Sequence, residues 1–156
     1  MKYARLTKEQ LEELHQEFIT FLATQSITAE EWSALKKNSP QIAEDEIDIF
    51  SDLIWEGVLV KVNYLENCSK NQMYLFHLDN EEMHLILLIT ENEDVNFLTQ
   101  EGLLWLEKNI LNDAVSIFKA SKKYTADKNS DIFQLIQQGA VITDGELFES
   151  MKRVVG

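Results

Sequence analysis

Apolar residues recur every three or four positions at Leu11, Leu14, Phe18, Phe21 and Leu22, the spacing of one helix face over Lys8–Thr24. Trp32 and Leu35 mark the inward side of a second, short helix from Ala29 to about Lys37, which Asn38-Ser39-Pro40 ends. Pro40 suits the first turn of a third helix, because it lacks only an N–H that has no partner there. The stripe Ile47, Phe50, Ile54, Val58, Val62 and Leu65 predicts that this helix runs to Asn67, roughly 40 Å at the usual rise per residue and enough to brace a whole domain. The period then falls to two. Gln72–Leu78 and Met83–Thr90 read as strands of one hairpin, with Asp79-Asn80-Glu81-Glu82 as the turn. Away from the turn both faces of that hairpin are apolar, so both call for cover by helices or by a second copy of the chain.

Helix starts are punctuated by a bulky apolar residue and a threonine: Leu6-Thr7, Ile27-Thr28, Leu98-Thr99 and Ile142-Thr143. Each pair is followed, four places after the Thr, by Leu11, Trp32, Leu103 or Leu147. A Thr hydroxyl at this place accepts a bond from a first-turn N–H, while the two apolar residues pack on each other. Gln10, Glu31 and Glu146 complete the reciprocal capping box at three of the starts, and Gly102 stands at the fourth. The helix after Thr99 carries Leu103, Leu104, Leu106 and Ile110. Ala114–Ala120 reads as a third strand or as a helix, since Val115, Ile117 and Phe118 alternate imperfectly. Asp127–Ser130 reads as a loop, with Ser130 capping a short helix that stops at Gly139; a last helix follows Thr143. With no linker and no low-complexity stretch, these elements predict a single α+β domain over 1–156, helices packed on a small, mainly antiparallel sheet built round the 72–90 hairpin.

Charge changes the picture more than composition does. The chain is 156 residues long with a net charge of −13, and residues 37–98 hold thirteen acidic side chains against Lys37, Lys61 and Lys70. Such a surface repels phosphate backbones and acidic membranes, which argues against direct binding of nucleic acid or lipid. Glu44, Asp48, Asp52 and Glu56 follow one another at i, i+4 on the long helix, a ridge of like charges suited to a basic protein partner. Lys119, Lys122 and Lys123 beside Tyr124 form the one basic island. A single cysteine, Cys68, excludes an internal disulfide and suits a reducing compartment; no apolar run is long enough to span a bilayer, so the expected setting is the cytoplasm.

Most catalytic signatures are missing. The five glycines form no phosphate-cradling loop, and no Gly-x-Ser-x-Gly elbow occurs. Glu12 and His15 make one Glu-x-x-His pair where a di-iron bundle needs two. One constellation remains. If Leu78 pairs with Met83, His77 falls opposite His84 with Asp79 and Glu82 on the same face. Two imidazoles and two carboxylates are a ligand set for a divalent transition metal, the one cofactor this pattern admits; equally, they make a surface pair whose acidic neighbours favour protonation.

The opening Met1–Gln10, Leu14-His15 and the segment Phe76-His77-Leu78-Asp79 resemble a family of short acidic bacterial proteins classed as a domain of unknown function. That resemblance implies a cytosolic bacterial protein and transfers no active-site residue. The expected function is therefore a non-enzymatic, protein-binding accessory role with the acidic ridge as docking surface and with self-association through the hairpin open to it. A metal-binding enzyme or sensor centred on His77 and His84 stands second, and a nucleic-acid mimic third.

Overall fold

A computed structural model describes residues 1–156, which divide into two compact units, 1–60 and 61–156. Seven helices and a five-stranded, wholly antiparallel sheet make the α+β fold that the sequence predicts.

The first unit is helical: α1 (Lys8–Glu13), α2 (His15–Thr24), α3 (Ala29–Asn38) and α4 (Pro40–Leu59). Thr7 closes the expected capping box, its hydroxyl accepting from Gln10 N at 3.1 Å while Gln10 Oε1 accepts from Thr7 N at 2.9 Å. Thr28 caps α3 through Glu31 N at 3.1 Å. The single helix expected over Lys8–Thr24 is broken at Leu14, whose φ of −96° and ψ of 23° end α1 and begin α2. That bend brings Leu11 and Leu14 against the same cluster as Phe21 and Leu22. At its centre Phe50 is 2 % exposed, with the ring of Phe18 edge-on at 5.0 Å and that of Phe21 at 5.5 Å.

Helix α4 ends at Leu59, not Asn67, so it spans about 30 Å. Leu65 continues the apolar spacing but belongs to a strand that the sequence reading absorbed into the helix. This strand, β1 (Tyr64–Cys68), pairs with β2 (Gln72–Leu78), and β2 with β3 (Glu82–Thr90), in the second unit. Leu78 faces Met83 and His77 faces His84, the predicted register. The segment left between strand and helix is β4 (Val115–Lys123), paired along its length with β3, and β5 (Val141–Ile142) closes the far side in the order β4-β3-β2-β1-β5.

Helices α5 (Gln100–Asn109) and α7 (Glu146–Val155) cover one sheet face, where Leu106, Phe148 and Met151 bury Met73, Leu75, Ile86 and Leu88. Two predicted starts are displaced. Helix α6 (Lys128–Gln137) is capped by Asp127, whose carboxylate accepts from Ser130 N at 2.9 Å, so the donor is Ser130. Helix α7 begins after Gly145 at φ 84°, because Ile142 is paired with Leu65 in the sheet and Thr143 N donates to the carbonyl of Tyr64. No helix is long and apolar enough to cross a membrane.

Candidate functional site

The four carboxylates of the acidic ridge lie in one row on α4, and the chain's own first residues already occupy them. Lys2 N and Tyr3 N donate to the two oxygens of Asp52 at 2.7 and 2.9 Å. Tyr3 Oη donates to Glu56 Oε1 at 2.5 Å, and Lys2 Nζ reaches the same atom at 3.1 Å. Arg5 spans the rest of the row, its Nε on Asp48 at 2.7 Å and its Nη1 on Glu44. The segment ends on Leu6 N, which donates to the buried Ser51 hydroxyl at 3.1 Å. Hydrogen bonding from Arg5 holds the Asp48 carboxyl below the usual range. Residues 2–6 of the chain itself are what this row holds.

The metal reading rested on the hairpin end. His77 and His84 are cross-strand partners with ring centroids 5.7 Å apart. They are engaged separately. His77 stacks on Tyr64 at 4.7 Å and lies 5.6 Å from Phe148, and burial lowers its pKa, opposite to the protonation expected of a surface pair. Glu82 enters the turn through its backbone, its N–H donating to Asp79 and its carbonyl accepting from Asp79 N and Tyr124 Oη. No three His, Cys, Asp or Glu side chains are gathered closely enough to hold a metal ion.

His84 instead joins a chain of three side chains from three elements. Its Nε2 lies 2.7 Å from Asp79 Oδ2, and its Nδ1 lies 2.7 Å from Ser121 Oγ. The other Asp79 oxygen accepts from Glu81 N and Glu82 N at 2.9 and 2.6 Å. These bonds, that from His84 first, hold the Asp79 carboxyl far below the ordinary range. An ionised carboxylate only accepts, so Nε2 carries a hydrogen; in the neutral form of the ring Nδ1 is then the nitrogen left to accept from the Ser121 hydroxyl. Tyr124 Oη, whose pKa burial pushes up to about 12, donates to the Asp79 carbonyl at 2.5 Å and anchors the turn to the end of β4.

The chain lines a cleft of about 530 Å³ between the sheet and α7, walled by Ile86, Phe148 and Val155, with Lys119 and Lys152 also on it. On the opposite face a smaller groove of about 260 Å³ runs beside Tyr74, Phe76, Leu85, Ala120, Lys122 and Leu135. Between the two lies β4, an edge strand exposed from Phe118 to Lys123. Sequence reasoning missed Ser121 and the edge because both depend on β4 pairing with β3 so that Ser121 falls opposite His84. Cys68 takes no part; burial raises its thiol to about 11, which keeps it protonated.

The Asp79 geometry fixes a sign. Its folded-state pKa is depressed, so its stabilising contribution is complete above the unfolded value of about 4 and fades as pH falls below that. Thermal midpoints of Asp79→Asn and the parent protein, measured from pH 7 to pH 2, should differ most at neutrality and converge in acid. Parallel curves would mean that the carboxylate is not held in this way.

A family model described as a family of unknown function, DUF6495, matches residues 1–156. No curated protein and no solved structure matches the chain.

Proposed function

Because the chain belongs to DUF6495, a family of unknown function, we propose a role from its geometry: a protein-binding accessory protein that takes an extended acidic peptide along β4. The open edge of β4 carries this reading. Alternate residues of an edge strand direct N–H and C=O groups away from the sheet, and an added strand satisfies them. Six successive residues here, Phe118–Lys123, are exposed, and three of them are lysines in a chain of net charge −13. Lysines on an edge oppose pairing with a second copy, whose own lysines would join the same ladder, and they favour an acidic strand. Alternation and register place Phe118 and Lys122 on the side of the apolar groove, Phe118 being 55 % exposed. A partner with acidic residues and one or two apolar side chains at every second position fits both features.

The acidic ridge supports a different use from the one its pattern first suggests, since Lys2 and Arg5 offset part of its charge and Tyr3 adds a hydrogen bond from within the chain. That internal pairing also weakens the case for nucleic-acid mimicry. The lone thiol of Cys68 supports a reducing, cytoplasmic setting.

Titrating isotope-labelled protein with an extended Glu/Val-alternating peptide should move the amide signals of residues 116–123 together. Lys122→Glu combined with Lys123→Glu should weaken binding roughly tenfold and flatten its salt dependence, since each exposed charge pair contributes up to about 1 kcal/mol. Shifts confined to other elements, or affinity indifferent to both reversals, would discard the edge as the binding surface.

A further inference from the structure

We propose that the cleft between the sheet and α7 is an acyl-transfer site, with Ser121 as nucleophile, His84 as its base and Asp79 as the group that positions the imidazole. This goes beyond the binding role of β4 and uses the other side of the strand. The carrying observation is the hydrogen-bonded sequence Asp79–His84–Ser121, with both links at 2.7 Å and the serine on a cleft large enough for a small molecule. A lone Ser–His contact on a sheet is commonplace. Here the base is oriented by a third group, which is itself fixed by two backbone N–H donors, and that is the arrangement a nucleophilic hydroxyl requires.

The ligand class follows from the walls. Ile86, Phe148 and Val155 suit a short acyl chain; Lys152 puts positive charge on the same wall, and Lys119, whose Nζ donates to the Gly156 carbonyl oxygen, adds a second cation that helps to draw in an electron-rich carbonyl group. The substrate is accordingly a small carboxylic ester or thioester. Ser121 Oγ attacks the carbonyl carbon while its proton passes to His84 Nδ1. The bond to the leaving alcohol or thiol breaks, and His84 returns the proton to that group, leaving an ester on Ser121. Water then attacks the ester, giving a proton to Nδ1; the acid departs and Ser121 Oγ recovers its hydrogen. His84 presents Nδ1 to the serine and Nε2 to the carboxylate, so the ring orientation follows from the β3–β4 register that puts Ser121 opposite it.

Asp79 makes the proposal testable without removing either reacting group. In Asp79→Asn the amide oxygen must remain where Oδ1 meets the N–H groups of Glu81 and Glu82, so the amide NH₂ faces His84 Nε2. Nε2 then accepts, Nδ1 carries the hydrogen, and the serine loses its base. A fluorophosphonate probe, whose fluoride leaves as Oγ bonds to phosphorus, should give one adduct on Ser121 by peptide mass spectrometry. Ser121→Ala should give none there. His84→Gln and Asp79→Asn should slow labelling at least about a hundredfold, the ordinary scale of general-base assistance. The His84 ring nitrogen shifts should exchange in Asp79→Asn while the amide spectrum away from the hairpin end stays as in the parent. No adduct on Ser121 under excess probe, or equal labelling rates in parent and Asp79→Asn, would overturn the assignment. A folded Asp79→Asn with an unchanged His84 tautomer would overturn the positioning role.

Discussion

Gly102→Ala should destabilise the second unit by about 3 kcal/mol, although glycine to alanine inside a helix ordinarily gains about 1 kcal/mol. Gly102 is the third residue of α5 and is buried; its N–H donates to the Thr99 hydroxyl at 3.0 Å. A Cβ there would lie inside the van der Waals envelope of the Asn96 carbonyl oxygen and crowd the carbon behind it. The obstacle is backbone, and it is pinned: Asn96 O accepts from the Thr99 hydroxyl at 2.8 Å, and the next residue's N–H, on Phe97, donates to Lys70 O at 2.8 Å. Relief therefore requires moving α5 off the sheet, which uncovers Leu106. In a unit of this size such a loss lowers a thermal midpoint by more than about 10 °C. A midpoint at or above the parent value would mean that helix propensity outweighs the clash and that the 96–102 turn is freer than its bonds indicate.

Phe50→Ala should cost the first unit about 3–5 kcal/mol. Phe50 is 2 % exposed at the centre of a ring cluster in which Phe18 also meets Trp32 edge-on at 5.2 Å. Truncation leaves a cavity that α2 and α3 cannot fill without breaking those ring geometries, and edge-to-face pairs contribute about 0.5–1.5 kcal/mol beyond their area. Denaturant unfolding followed by tryptophan fluorescence reads this directly. A loss below about 1 kcal/mol with an unchanged emission maximum would show that the four-helix cluster does not depend on this ring. Neighbouring Ile49 and Leu53 are 48 % and 56 % exposed, so their alanine variants are the internal controls.

Local chemistry was legible in the chain and long-range chemistry was not. The Thr7 capping box and the His77–His84 register depend on residues a few places apart, where spacing alone dictates geometry. Strand β1 was hidden because Val62 and Leu65 continue the helical period of α4, and no glycine or proline marks the end at Leu59; the pairing requirement of β2 decides the matter. Gly102 looked like a weakened helix start because its reason lies in the fold of the preceding turn. The cleft was half visible. His84 and Asp79 are five residues apart, but Ser121 joins them from 37 residues away, through a strand whose alternation is blurred by Phe118 and Ala120 on one face and lysines on both. The acidic ridge was read correctly as a pattern of charge, while its occupant was overlooked because Arg5 and Asp48 are 43 residues apart.

That occupancy sets an entry condition for any outside molecule. Residues 2–6 act as a tethered ligand, held against the ridge at an effective concentration that the intervening helices set. A free basic peptide of equal intrinsic affinity would meet a surface that is already filled, and its measured dissociation constant would rise by the ratio of that concentration to the segment's own constant. Weak polycations are thus excluded without any repulsive group. A molecule able to carry more positive charge into the row than Lys2 and Arg5 would instead release the chain's first residues as it bound.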